Sequence, residues 1–293
     1  MKLKSYAKIN LFLEIRGRRK DGYHNLVSFM QEISLYDDIE VINRKDSNIK
    51  VSGDGIKIPY DERNLAWRAA KKMQEASGKK NGVNIHIKKR IPIGAGLGGG
   101  SSNAASVLLG LNKLWNTGFS LKKLARIGKT LGADVPFFIY GGACLVRGIG
   151  EKVRQLKNIP KINMVLVYPA IHVVTKKVYE SYSFKLTKKF KKCSIEHYYN
   201  SRGSSLSLKK GLFNRLEESC FKLYPKIQRL KEYLMSYQVG GVLMSGSGSS
   251  VFAIVNNAKQ ARAIKKDIEN TRNTVLIVET KGRRSKNNGD HRS

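Results

Sequence analysis

The stretch Pro92-Ile93-Gly94-Ala95-Gly96-Leu97-Gly98-Gly99-Gly100-Ser101-Ser102-Asn103-Ala104-Ala105 holds five glycines within seven positions. With so few side chains, backbone N–H groups can close on a ligand from several sides. Ser101, Ser102 and Asn103 are helix N-cap types, and Ala104 to Leu114 reads as an apolar helical stretch. A bare loop feeding a helix N-terminus is an anion site, because unpaired N–H groups and the positive end of the dipole point the same way. Phosphate is the expected anion. A flexible linker would not run directly into a buried helix.

The kind of phosphate site can be narrowed. The spacing is not that of a Walker loop, since Gly100 and Ser101 stand where Lys and Ser/Thr would follow. It does match G-x-G-x-x-G at Gly94, Gly96 and Gly99, after a strand expected over Val83 to Ile87. A dinucleotide fold would then need an acid about 20 residues on to hold a ribose hydroxyl. No Asp or Glu occurs from Ala76 to Ala133, so that reading fails.

The missing acids carry information of their own. Between Glu75 and Glu151 the one acidic residue is Asp134, among Lys79, Lys80, Lys88, Lys89, Arg90, Lys113, Lys122, Lys123, Arg126, Lys129 and Arg147. A surface that receives polyphosphate should exclude like charge, so a lone acid there needs a reason. Asp134 follows a helix expected from a Ser120 cap to a Gly132 stop, and precedes Val135-Pro136-Phe137-Phe138. From this stretch alone it either caps the next turn or does chemistry.

Near the N-terminus, Lys4 to Ile15 alternates with period two. Ala7, Ile9, Leu11, Leu13 and Ile15 are expected on one face, and Tyr6, Lys8, Asn10 and Phe12 on the other. Lys8 and Asn10 therefore share a face. A turn follows at Arg19-Lys20-Asp21-Gly22-Tyr23-His24-Asn25-Leu26, with an aromatic ring and an imidazole at its exit. Far along the chain, Gly240 to Ser250 forms a second glycine-serine loop ahead of the strand-like Val251 to Val255.

Five segments together resemble one family. They are Ala7-Lys8-Ile9-Asn10-Leu11, Asp21-Gly22-Tyr23-His24, Pro92 to Ala105, Leu131-Gly132-Ala133-Asp134-Val135-Pro136-Phe137-Phe138 and Met244-Ser245-Gly246-Ser247-Gly248. The family is that of the 4-diphosphocytidyl-2-C-methyl-D-erythritol kinases, a branch of the GHMP kinase superfamily, and the resemblance runs from about Lys4 to Glu279. It implies an α+β, two-domain GHMP kinase fold. The N-terminal domain would be like domain 2 of ribosomal protein S5, and the smaller C-terminal domain an α/β plait, with the site in the cleft between them. It also implies that ATP phosphorylates the 2-hydroxyl of 4-diphosphocytidyl-2-C-methyl-D-erythritol, in the non-mevalonate route to isoprenoid precursors.

Carried over residue by residue, the resemblance makes Asp134 the catalytic carboxylate beside that hydroxyl and Lys8 its cationic partner, which also keeps Asp134 ionised. Pro92, Gly94, Ala95, Gly96, Leu97, Gly98, Gly99, Gly100, Ser101 and Ser102 would wrap the ATP phosphates. Tyr23 and His24 would receive the cytosine, with Tyr179 as the second aromatic wall. Asn10 would contact the acceptor, and Ser245, Gly246, Ser247 and Gly248 would help close the site. No carboxylate pair stands near the glycine loop, so the protein offers no metal site of its own. Mg²⁺ would be held mainly by ATP oxygens and water, with a hydroxyl from Ser101 or Ser102. One departure is Asn214-Arg215-Leu216-Glu217, where the family often carries Asn-Asp before the helix. That puts the local cap in question.

Length and composition agree with an enzyme of this kind. At 293 residues the chain can hold two domains. Short strands mixed with helices suggest two layers. We expect domains over 1–153 and 154–280, a mobile insertion over Phe184 to Lys210, and a disordered basic tail over 281–293. Cys144, Cys193 and Cys220 are odd in number, which favours the reducing cytoplasm over secretion. The five histidines form no metal spacing, and no run is long and apolar enough to span a membrane. An expected strand by Lys4 leaves no room for a leader peptide. The partner expected is a small molecule, with no specific nucleic acid, no membrane, and a monomer or weak dimer as the working form.

The net charge of +33 is more than a phosphate site requires. A nucleic-acid-binding protein on an S5-like fold is the rival reading. Against it, the basic residues are scattered, with no stripe of interleaved aromatics, and Asp134 and both glycine loops would be left without a role. Any affinity of the whole protein for DNA should therefore be weak, independent of sequence and steeply lost as salt rises. A salt titration of duplex binding checks this, and tight binding that survives moderate salt would favour the rival.

Overall fold

A computed structural model describes residues 1–156, 160–182, 211–269 and 272–282. The expected insertion at Phe184 to Lys210, and the expected tail beyond Gly282, lie outside the described residues. Lys281 is still held to the body of the protein. Its N–H donates to the Glu32 carbonyl (2.9 Å), and its carbonyl accepts from Gln31 Nε2 (2.8 Å).

A long antiparallel hairpin comes first: β1 (Lys2–Arg18) pairs with β2 (His24–Arg44), from Lys2 opposite Glu40 to Arg18 opposite His24. Around it stand β3 (Ile49–Gly55), β4 (Gly82–Lys89), β5 (Ala143–Gly148) and β6 (Lys152–Gln155). The order in this first sheet is β3-β4-β2-β1-β8, with β5 on β2 and β6 on β5; β8 (Phe213–Asn214) lies parallel to β1. The second sheet contains β7 (Asn163–Tyr168), β9 (Gly241–Met244), β10 (Val251–Ile254) and β11 (Thr274–Glu279). Its antiparallel order β11-β7-β10-β9 is that of an α/β plait. The chain leaves the first sheet after Gln155, so β6 runs across the division expected at Arg154, and β8 returns to the first sheet from the later half.

The helices form where local signals converge. α1 (Leu65–Ser77) is capped by Asn64, whose side chain accepts from the Ala66 N–H, and ends at Gly78 in the left-handed region. Its Ala66, Ala69, Ala70 and Met73 make one buried stripe. α2 (Gly99–Leu114) is buried on most sides. α3 (Leu121–Lys129) carries the expected Ser120 cap, and α4 (Val135–Tyr140) follows directly after Asp134. In the later half come α5 (Thr175–Glu180), α6 (Leu216–Leu223), α7 (Pro225–Met235) and α8 (Ala258–Glu269). No helix among the described residues is long and apolar enough to cross a membrane.

These elements stack as four layers rather than the two expected. α1 to α4 cover one face of the first sheet, the two sheets face each other, and α5 to α8 cover the far face of the second. Period two is visible in β7: Met164 and Leu166 enter the core between the sheets, while Val165 and Val167 enter the core under the helices. Strict alternation fails in β1. The register shifts between Tyr6 and Lys8 and again between Asn10 and Phe12, and Phe12 joins Ala7, Ile9 and Leu11 in the inter-sheet core.

Among the described residues, the Arg215–Glu14 ion pair links the later half to β1. Arg215 holds Glu14 with both nitrogens (Nε to Oε1 2.7 Å, Nη2 to Oε2 2.8 Å), and the Glu14 side chain is fully buried. The cap left in question by the sequence is made by Asn214, whose Oδ1 accepts from the Leu216 N–H (3.0 Å). Arg215→Met removes the two-pronged cationic partner of a fully buried carboxylate and should cost about 3–5 kcal/mol in denaturant unfolding, while Glu14→Gln with Arg215→Met should recover most of it. An unchanged midpoint in the single variant would show that the pair does not anchor the halves.

Candidate active site

The glycine loop is held by its small apolar residues. Ile91, Ala95 and Leu97 are buried in the core between the sheets, and between them Gly94, Gly96 and Gly98 adopt left-handed φ of 65°, 75° and 69°. The space around the glycines is taken. A Cβ on Gly96 would strike the Ser245 carbonyl oxygen, one on Gly94 would strike the His172 imidazole, and one on Gly98 would lie 2.9 Å from the Phe138 ring. Gly100 is exposed and would meet only Leu65, at an ordinary 3.6 Å.

The helix starts earlier than the N-cap types suggested. Gly98 is the N-cap, with no side-chain cap, and Ser102 N–H makes the first intrahelical bond, to the Gly98 carbonyl (2.9 Å). The N–H groups of Gly99, Gly100 and Ser101 thus have no intrahelical acceptor, which is the anion-binding geometry. Ala95 and Leu97 can offer a ligand backbone only. Ser102 is fully buried and its hydroxyl accepts from Ser5 Oγ (2.8 Å), so it cannot reach a nucleotide. Ser101 is half-buried, with Oγ 3.6 Å from where a Cβ on Gly132 would sit, so of the two hydroxyls it is the one facing the Asp134 segment.

Lys8 and Asp134 meet at the edge of this loop. Lys8 Nζ donates to Asn10 Oδ1 (2.7 Å) and to the Gly96 carbonyl (2.9 Å), and stands 3.8 Å from Asp134 Oδ2. Asn10 Nδ2 donates in turn to Ser28 Oγ (2.7 Å) and Ser28 to the Phe12 carbonyl (2.7 Å), so the Lys8 partners are themselves fixed. Burial pushes the Lys8 pKa down, and the charge of Asp134 opposes that shift. Asp134 occupies the N-cap position of α4, yet its side chain makes no cap hydrogen bond. At 30% exposure its side chain keeps part of its surface open to solvent instead. The capping alternative therefore does not account for it.

The second loop seats itself on the first. Ser245 Oγ donates to the Gly96 carbonyl (3.0 Å), and Ser250 N–H to the Ala95 carbonyl (3.2 Å). Gly246 brings its backbone up to Lys8 and Asn10: a Cβ there would lie 3.3 Å from Lys8 Nζ. Asn214 Nδ2 holds the loop from behind, donating to the Met244 and Gly246 carbonyls (2.8 and 2.7 Å). Ser247 Oγ hydrogen-bonds Thr175 Oγ1 (2.8 Å), which ties the loop to α5 and so to Tyr179.

At the far end of β1, Arg19 N–H donates to the Tyr23 carbonyl (2.7 Å) and closes the tip of the hairpin, leaving Tyr23 59% exposed. The His24 and Tyr179 rings lie 5.2 Å apart and tilted by 34°, so the ring that Tyr179 faces is His24. Burial, then the nearby Arg18, lowers the His24 pKa. Burial and the charge of Asp134 both raise that of Tyr179. The same carboxylate is thus felt by Lys8 on one side and Tyr179 on the other.

Three residues were given no part in the site from the sequence. His172 and Phe138 wall the glycine loop, and Asn214 supports the second loop; only the unusual density of small residues around them hinted at close packing. One basic residue is also reassigned. Lys89, counted with the phosphate-receiving surface, is buried and paired to Asp37 (2.7 Å). Among the described residues no group of three or more His, Cys, Asp or Glu side chains could cage a metal.

Residues 64–142 match the sequence model of the GHMP kinases N terminal domain, and residues 200–273 that of the GHMP kinases C terminal. The chain is 43% identical over 263 residues to the 4-diphosphocytidyl-2-C-methyl-D-erythritol kinase of Syntrophus aciditrophicus, covering 89% of this chain and 92% of that one. It is 41% identical over 286 residues to the enzyme of the same name from Alkaliphilus metalliredigens, covering 97% and 98%. A crystal structure of 4-(cytidine 5'-diphospho)-2C-methyl-D-erythritol kinase superposes with a TM-score of 0.80 at 34% identity, over 96% of this chain and all of that one. The mevalonate kinase of Methanococcus jannaschii shares the fold, with a TM-score of 0.71 at 15% identity over 96% and 98% of the two chains. By sequence along nearly its whole length and by architecture, the chain belongs to the GHMP kinases and, within them, to the 4-diphosphocytidyl-2-C-methyl-D-erythritol kinase family.

Proposed function

We propose that this chain transfers the γ-phosphoryl group of ATP to the 2-hydroxyl of 4-diphosphocytidyl-2-C-methyl-D-erythritol, a step toward isoprenoid precursors. The observation that carries the site assignment is the meeting of Lys8 and Asp134, 3.8 Å apart, at the Gly96 edge of the loop. Phosphoryl transfer needs alignment and neutralisation of spreading charge more than covalent help. The uncapped N–H groups at the start of α2 receive the phosphates. Asp134 takes or orients the proton of the tertiary hydroxyl, and Lys8 stabilises the oxygen as charge develops on it. A magnesium ion would be held by ATP oxygens with the Ser101 hydroxyl in reach, and would supply charge neutralisation.

The acceptor lies on the side of Tyr23, His24 and Tyr179, with Asn10 and the Ser245 to Gly248 loop lining the path to Lys8. A kinase for a small acceptor without a base would have no use for that aromatic wall. The free, buried Cys144 and Cys220 suit a reducing cytoplasm.

Asp134→Asn should fold and bind ATP but lose about 10²- to 10⁴-fold in kcat, the range for a positioned base. Lys8→Met acts on the same step, so the double variant should fall far short of the product of the two losses. Because burial lowers the Lys8 pKa, its charged form is lost below the usual 10.5 as pH rises. The kcat profile should therefore descend on an alkaline limb beneath the ordinary lysine range, and Lys8→Arg, which stays protonated, should remove that limb. Steady-state kinetics across pH tests both points, and an Asp134→Asn enzyme with most of its turnover would refute the assignment.

A base held between aromatic faces gains about 1–3 kcal/mol per stack. Tyr23→Ala or Tyr179→Ala should therefore raise KM for the acceptor about 5- to 150-fold and leave KM for ATP nearly unchanged. Stacking does not tell cytosine from uracil, so backbone donors and acceptors near His24 must. Uracil reverses the polarity at two positions, leaving groups unpaired at about 1–3 kcal/mol each. The uridine analogue should be a very poor acceptor for the intact enzyme, and His24→Ala should be milder than Tyr23→Ala. Comparable kcat/KM for the cytidine and uridine forms would rule out a cytosine site.

A further inference from the structure

Behind the glycine loop lies a buried polar cluster that the chemistry above does not use. Asp37, on β2, is fully buried and accepts four hydrogen bonds. Its Oδ1 takes the N–H groups of Arg90 (2.7 Å) and Ile91 (2.8 Å), and its Oδ2 takes Lys89 Nζ (2.7 Å) and Asn103 Nδ2 (2.9 Å). Ile91 is the last residue before the loop, and Asn103 lies in the opening turns of α2. One carboxylate therefore ties together both ends of the loop. Asn103 Nδ2 also donates to Ser5 Oγ (2.9 Å), and Ser5 to Ser102 Oγ (2.8 Å), so β1 is pinned to the same helix start three residues before Lys8.

Lys89 makes the arrangement electrostatically unusual. Its Nζ donates to the Ile91 carbonyl (2.8 Å) and would stand 2.9 Å from a Cβ on Gly99. An ammonium thus sits directly behind the N-terminus of α2. A cation at the positive end of a helix is unfavourable unless it is paired, and Asp37 pairs it. The site can then present backbone N–H groups to an anion without a buried charge of either sign left over behind them.

We propose that Asp37, acting through Lys89 and Asn103, is the positioning residue that sets the distance between the two ends of the nucleotide loop and the register of Lys8 against it. The proposal rests on the reading of the loop as the ATP-phosphate site. Asp37 touches no reacting atom; its effect is on where the Gly99, Gly100 and Ser101 N–H groups point. Nucleotide affinity should be sensitive to the cluster, while the acceptor side, built on the hairpin tip and α5, should not.

The test is calorimetric binding of ADP to the full-length protein, with steady-state KM for each substrate and an unfolding midpoint for every variant. Asn103→Ala removes the strut to α2 and leaves the ion pair in place. It should weaken ADP binding about 5- to 150-fold, the equivalent of one lost buried partner, and leave KM for the acceptor within about 2-fold. Asp37→Asn would strand the Lys89 charge in the core and endanger folding, so it is paired with Lys89→Met. In that double variant Oδ1 still accepts from Arg90 and Ile91, but the new amide nitrogen meets the Asn103 donor. The protein should fold and bind ADP as weakly as Asn103→Ala. A purely structural cluster would lower the unfolding midpoint and leave the ADP affinity of the folded protein intact, and that result in either variant would overturn the proposal. Wild-type protein that binds no adenine nucleotide would overturn the reading of the loop itself, and the proposal with it.

Discussion

A phosphate site made of backbone must be rigid, yet the glycines that let a ligand approach give the loop no side chains with which to hold itself. This chain resolves the conflict by alternation. Ala95 and Leu97 are sunk into the core between the two sheets, and Gly94, Gly96 and Gly98 stand between them in a left-handed conformation that other residues rarely adopt. Packed side chains and bare backbone thus take alternate positions of one short segment. The four-layered stack serves the same end: the core that the two sheets share takes up Ile91, Ala95 and Leu97 and so grips the loop.

Charge is arranged on the same principle. Asp134 faces Lys8, Asp37 holds Lys89, and Glu14 holds Arg215. Asp37 and Glu14, both fully buried, have their cations at hydrogen-bond distance. The Lys8–Asp134 pair is different. At 3.8 Å it is longer than either of the others, and Asp134 keeps part of its surface open. On the proposed reading, a hydroxyl group would bridge carboxylate and ammonium from that open side, which two fully buried partners would not permit.

Much of this was readable in the sequence, and the parts that were not share a cause. The glycine loop, the isolated Asp134, the Lys8 and Asn10 pair and the second glycine-serine loop are local or compositional features, and they converge in space. The shifts in β1 that send Phe12 to the inter-sheet core leave no local mark, because they answer to the register of β2 across the sheet. The start of α2 at Gly99 contradicts the preference of Ser and Asn for caps. Ser102 and Asn103 are instead drawn inward to Ser5 and Asp37, partners 97 and 66 positions away along the chain. Lys89 looked like one more surface cation because only tertiary structure brings Asp37 to it.

The central claim is that the Lys8–Asp134 pair at the glycine loop phosphorylates one hydroxyl of one acceptor. Incubating the purified protein with ATP, Mg²⁺ and 4-diphosphocytidyl-2-C-methyl-D-erythritol, with ³¹P NMR of the products, tests it most directly. The account predicts one ADP per acceptor consumed and a new phosphomonoester on the 2-hydroxyl, with the diphosphate bridge intact. Failure to form that ester while ATP is bound, or transfer to a different hydroxyl, would contradict it.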